Sequence, residues 1–175
     1  IFRANVFSDV EEPVEKGDVK DIRAIYGLIP NEMKHGRSVA LDNDFHCASL
    51  VVGGADVDLV IDGAIIDIKT TKKMGIKQYW PQIVGYYVLW DINKEVFHGE
   101  RKEVSQIGMY FSRFGKLWLQ DIAYVRANGN YERVVETLIK AGKAALERSG
   151  KDLKEMLVER GCEPDEEDKK SNYWK

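Results

Sequence analysis

Asp62-Gly63, set between Asp58-Leu59-Val60-Ile61 and Ala64-Ile65-Ile66-Asp67, constrains this chain more than any other stretch. Asp-Gly flanked by apolar β-formers predicts a two-residue hairpin, because a type I′ turn needs positive φ at both central positions. The register then follows. Ile61 faces Ala64, Val60 faces Ile65, Leu59 faces Ile66, Asp58 faces Asp67 and Asp56 faces Lys69. The two outer pairs fall on non-hydrogen-bonded positions, where facing side chains come closest.

Two carboxylates opposite one another on an apolar hairpin repel, and burial raises that cost. A divalent cation compensates it, and oxygen donors suit Mg²⁺ or Mn²⁺. Period-2 alternation puts Lys69 on the face of Asp67. Ile68 points the other way, but its backbone carbonyl can still reach a metal. A plainer alternative stays open at this point: a hairpin with polar ends, in which Lys69 pairs with Asp56 and no metal is involved.

Lys69 is followed by Thr70-Thr71-Lys72-Lys73 and then by Tyr79-Trp80-Pro81-Gln82-Ile83-Val84-Gly85-Tyr86-Tyr87-Val88. This predicts a helix from about Tyr79 to Asn93, with Pro81 in its first turn. Gln82 and Tyr86, four apart, share one face. Gly54-x-x-x-Asp58, Asp67-Ile68-Lys69-Thr70 and Gln82-x-x-x-Tyr86 together resemble the PD-(D/E)XK nuclease superfamily, in its RecB-like branch. The resemblance covers about half the chain. It implies a restriction-endonuclease-like α/β fold, a mixed central β-sheet flanked by α-helices with core order αβββαβ. It implies that Asp58 and Asp67 ligate a catalytic metal, that Lys69 orients and polarises the attacking water, and that Gln82 and Tyr86 brace the site and the scissile phosphate. It also implies DNA as substrate. Val57 stands where the superfamily's name has proline, Asp56 is a second candidate for the first acid, and no clear match to an upstream helical Glu or His is seen.

The rest of the chain fills in the frame. The 175 residues, 44% apolar and 31% charged, suit one soluble domain. Residues 1–150 are expected to form the nuclease-like domain. Residues 151–175 would add a helix and a charged tail, in the same domain or mobile. Asp18–Tyr26 reads as a first helix, Ser38–Leu41 as a strand, and Asp42–Asp44 as a turn or loop. Ser49–Val57 reads as the start of the long strand. Gln106–Phe111 and Lys116–Val125 form a second hairpin. A helix capped by Asn130 runs to Ser149, and a shorter one spans Asp152–Arg160. The expected order is helix, three strands, helix, two strands and C-terminal helices.

Net charge is −3, so there is no global basic footprint for nucleic acid. Lys72, Lys73 and Lys77 nonetheless cluster just past the acidic motif and are candidate phosphate contacts. Cys47 and Cys162 are the two cysteines. With no C-x-x-C and no Cys/His cluster in sequence, neither a zinc site nor a disulfide is indicated. Two cysteines cannot supply the four thiolates of an Fe–S cluster. The setting expected is a reducing cytoplasm. His46 reads as a surface or packing histidine, and Asp44 as a remote candidate for approaching the metals. No apolar run approaches a membrane span.

The function expected is metal-dependent phosphodiester hydrolysis in DNA, exonuclease-like. The alternative is a non-catalytic nucleic-acid-binding or assembly module on the same fold. DNA, and a larger DNA-processing assembly or a homo-oligomer, are the expected partners.

Overall fold

The computed structural model describes residues 16–95, 103–127, 130–150 and 152–162. The hairpin forms where the Asp-Gly pair predicts it. Asp62 and Gly63 both take positive φ, 45° and 81°. Strands β2 (Asp56–Ile61) and β3 (Ala64–Lys69) pair in the predicted register through Leu59–Ile66, Val60–Ile65 and Ile61–Ala64. The turn is clamped from outside. The Asp62 carboxylate accepts the Arg37 and Ser38 amides at 3.1 and 3.0 Å, and the Asp62 amide donates to Ser38 O at 2.9 Å.

Five strands form one mixed sheet in the order β1-β2-β3-β4-β5, with β1 at Val39–Asp44, β4 at Gln106–Phe111 and β5 at Lys116–Asp121. Only β3 and β4 run parallel; the other neighbours are antiparallel. A parallel pair needs a crossover, and helix α3 (Ile76–Glu95) occupies the chain between them. Helices α1 (Lys16–Gly27) and α2 (Asn31–Lys34) precede the sheet; α4 (Ile122–Ala127), α5 (Tyr131–Arg148) and α6 (Leu153–Glu159) follow it. The chain is thus α/β, a five-stranded mixed sheet flanked by helices. The larger core joins Val60, Ile65, Ile107, Met109 and Phe111 to Ile83, Tyr87 and Val88 of α3. A smaller one gathers Leu59, Ile61, Ala64, Ile66 and Tyr110, with Ile29 and Met33 packed on it. No helix among the described residues is long and apolar enough to cross a membrane.

Several expectations are corrected. Ser49–Val57 does not begin the long strand. His46–Val52 is a 3₁₀ segment, ended by Gly53 in the left-handed region, and β2 starts only at Asp56. A short apolar run reads alike as buried strand or buried helix, and here Cys47–Val51 are buried in the 3₁₀ form. Asp42–Asp44 is strand, with Asn43 opposite Val57 and Asp44 opposite Asp56. Val125 belongs to α4, because β5 stops at Asp121. Helix α3 begins at Ile76, so Pro81 lies inside it rather than in its first turn. Asn130 makes no side-chain cap. Val19, Ile22 and Tyr26, which recur at helical spacing, are exposed on α1. Residues 1–15, 96–102, 128–129, 151 and 163–175, with the charged C-terminal stretch expected there, lie outside the described residues.

Candidate active site

The acidic ends of the hairpin lie together at one end of two interior strands, beside α3. Backbone pairing of β2 with β3 stops at Leu59–Ile66. The two outer pairs expected from the register, Asp58–Asp67 and Asp56–Lys69, are therefore absent from the ladder. Beyond that point β2 pairs with β1, and the exposed Asp58 turns its carboxylate to the hairpin partner. Its Oδ2 accepts the Ile68 amide at 2.7 Å. Asp58 is so held within one residue of Asp67 by a hydrogen bond rather than by strand register.

Asp67 is buried, at 4% exposure. Lys69 follows it by two along β3 and shares its face. Its Nζ lies 2.6 Å from Asp67 Oδ2. That oxygen has no other partner among the described residues. Burial raises the Asp67 pKa above the ordinary carboxylate value; Lys69 pulls it back, and the nearby Asp58 charge pushes it up further.

Helix α3 completes the constellation. Lys69 Nζ donates to Gln82 Oε1 at 2.8 Å, and Gln82 Nε2 donates to Tyr86 OH at 2.8 Å. The i, i+4 spacing on the helix makes that second bond possible. The Tyr86 pKa is raised, first by burial and then by the charges of Asp67, Asp58 and Asp56 in that order, against the Gln82 hydrogen bond. Its hydroxyl therefore sits in the field of all three acids. Its ring packs on Phe45, centroids 5.5 Å apart.

Of the five side chains predicted for the site, Asp67, Lys69, Gln82 and Tyr86 are joined side chain to side chain, and Asp58 meets this network only through the Ile68 amide. Asp56 is exposed at the start of β2 and reaches it only through its charge on Tyr86. The Lys69–Asp56 pair of the plainer hairpin is not formed; Lys69 pairs with Asp67. Lys72, Lys73 and Lys77 are exposed in the β3–α3 connection and the first turn of α3. Two contacts were not predicted. The Lys69 ammonium lies 4.5 Å from the Tyr79 ring centroid, a cation–π geometry. Ser112, at the end of β4, is buried; its hydroxyl lies 3.0 Å from Thr70 Oγ1 and donates to Lys69 O at 3.4 Å. Tyr79 sits at the predicted helix start, three residues before Gln82, and is the one a sequence could have flagged.

The donor set is hard oxygen: a buried carboxylate and an exposed one beside it. Such donors suit Mg²⁺ or Mn²⁺. A carboxylate oxygen left with a single lysine partner in a buried setting is an incomplete polar group, and it fits a cation. Protein-family models, curated proteins and solved structures were all compared with the chain, and none matches it.

Proposed function

We propose that the chain is a metal-dependent nuclease that hydrolyses phosphodiester bonds in DNA, on a restriction-endonuclease-like variant of its mixed sheet. The observation that carries this reading is the buried Asp67, whose Oδ2 has Lys69 as its sole partner among the described residues, with Asp58 fixed beside it. A structural ion pair does not need a second acid there. Asp58 and Asp67, with the Ile68 carbonyl, would hold Mg²⁺ or Mn²⁺, which polarises a phosphoryl oxygen and acidifies bound water.

The chain's own residues do the rest. Lys69 places a positive charge where negative charge builds on phosphorus. Gln82 holds the ammonium by its Oε1, a second anchor that would keep the lysine in place if Asp67 engaged a metal. Lys69, which can only donate, takes the Gln82 Oε1 and leaves Nε2 to donate to the Tyr86 hydroxyl, which anchors that end of the amide. Lys72, Lys73 and Lys77 offer exposed positive charge to the flanking phosphates.

Incubation with linear and circular DNA, in Mn²⁺ or EDTA, tests activity, metal need and end-dependence together. Mn²⁺-dependent loss of linear DNA with circular DNA spared is the expected result. Binding of DNA without cleavage under either divalent ion would favour the non-catalytic module instead.

A further inference from the structure

We propose that His46, Cys47 and Cys162 form a second metal site, for a soft divalent cation of the Zn²⁺ class, open only when the Cys47–Cys162 disulfide is reduced. The two cysteines are disulfide-bonded, 115 residues apart in sequence. Sequence spacing indicates neither a zinc site nor a disulfide framework; the fold brings the two cysteines together. His46 joins them. Its Nδ1 lies 2.8 Å from Cys47 Sγ and 3.7 Å from Cys162 Sγ, and the ligand atoms of all three lie within 4.8 Å of one another.

The donors are the wrong kind for Mg²⁺ and the right kind for Zn²⁺: two sulfurs and an imidazole. Zn–S bonds of about 2.3 Å and Zn–N bonds of about 2.0–2.1 Å set neighbouring ligand atoms roughly 3.3–3.8 Å apart in a tetrahedron. The Cys162–His46 spacing already lies in that range. The Cα atoms of the cysteines are 5.9 Å apart. Side-chain rotation can then part the freed sulfurs without moving the backbone.

The group is buried on one side and open on the other. Cys47 and Cys162 are 4% and 6% exposed, on an apolar floor of Leu50, Leu157 and Met156. His46 is exposed at the rim, which leaves a fourth coordination position to water. His46 also holds φ at 48°. A non-glycine residue is strained there and persists only where its surroundings impose it. Here the same residue carries the ring that meets both sulfurs.

The chemistry balances. A dithiol reductant opens the S–S bond by exchange. Two electrons and two protons pass from the dithiol to the two cysteine sulfurs, and the dithiol closes to its own disulfide. The two thiols then give up their protons to solvent as they ligate the metal. Disulfide and metal occupy the same sulfurs, so each state excludes the other.

The test uses the whole chain, reduced with a dithiol, freed of it without oxygen and titrated with Co²⁺ as a coloured stand-in for Zn²⁺. A sulfur-to-metal charge-transfer band should grow to one equivalent and be bleached by Zn²⁺. Cys162→Ser should lose the band. His46→Gln, which keeps both thiols and hence the fold's own cross-link, should weaken binding by at least about tenfold. Asp67→Asn should leave the band unchanged, which separates this site from the acidic one. No band in the reduced chain, a band in the oxidised chain, or one unaltered in both Cys162→Ser and His46→Gln would overturn the proposal.

Discussion

Lys69 is held from three sides, by Asp67, by Gln82 and by the Tyr79 ring. A lysine so fixed has lost the rotamer freedom it would keep in solvent, and its charge acts at a defined point. Lys69→Ala should reduce DNA cleavage at least about a hundredfold, the usual scale for one charge-stabilising group. Metal affinity should hold or improve, since a competing cation is removed from Asp67. Isothermal titration with Mn²⁺ beside a cleavage assay checks both, and undiminished cleavage removes the lysine from the chemistry. Tyr86→Phe deletes the hydroxyl that fixes Gln82. Cleavage should fall, while stability drops by only about 0.5–1.5 kcal/mol, the worth of one hydrogen bond. An unaltered rate would reduce Gln82 and Tyr86 to helix packing. Asp67 offers a third test. Burial raises its folded pKa above the unfolded value, so the folded state binds the proton more tightly. That stability is fully present below the unfolded pKa and is lost as pH rises through the raised folded pKa. In EDTA at neutral pH, Asp67→Asn should therefore melt higher than the parent and lose this part of the pH profile. With Mn²⁺ the order should reverse, as the cation stabilises only the parent. A lower melting temperature for the variant in EDTA would mean that the Lys69 pair outweighs burial.

Among the elements, α5 packs on the 3₁₀ segment nearly backbone to backbone. Gly142 faces Val51 so closely that a Cβ would run into its carbonyl oxygen and carbon, both backbone atoms. Val135, Ile139, Gly142 and Leu146 form the buried stripe of α5, and glycine in that stripe lets two backbones meet. Gly142→Ala has the better helix propensity, yet it should destabilise the fold by about 1–3 kcal/mol, the range for overpacking a filled site. Urea unfolding reads this directly, and a variant as stable as the parent would mean that α5 can lift off at no cost. The contact matters to the site because the 3₁₀ segment leads from Phe45, which supports Tyr86, toward Asp56 and Asp58.

Across the whole molecule, the Cys47–Cys162 cross-link ties the residues just after α6 to the 3₁₀ segment between β1 and β2. Leu157 and Cys162 pack on Cys47 and Leu50. A bridge closing a loop of 115 residues restricts the unfolded chain strongly, and removing it should cost about 2–4 kcal/mol. For a chain of this length that is a fall in melting temperature of roughly 5–15 °C. Thermal melts with and without a dithiol, in the presence of EDTA, measure it; coincident melts would show that the bridge adds nothing.

What the sequence determined by itself was local. Asp62-Gly63 sets the turn through its φ requirement, and the turn sets the register of the next three pairs. Alternation along β3 puts Asp67 and Lys69 on one face, and helical spacing joins Gln82 to Tyr86. Each of these rests on residues within a turn or a few positions of one another, where backbone geometry leaves few options. The tertiary structure decided the rest. Whether Cys47–Val51 is strand or 3₁₀ segment depends on what buries it, and α5 and α6 do so from far along the chain. Asp58 meets Ile68 through a side-chain hydrogen bond, which strand alternation cannot foresee. The raised pKa of Asp67 comes from burial, and so from walls contributed by other elements. Cys47, Cys162 and His46 come together only on folding, because apolar burial acts on whatever surfaces meet, without regard to sequence distance.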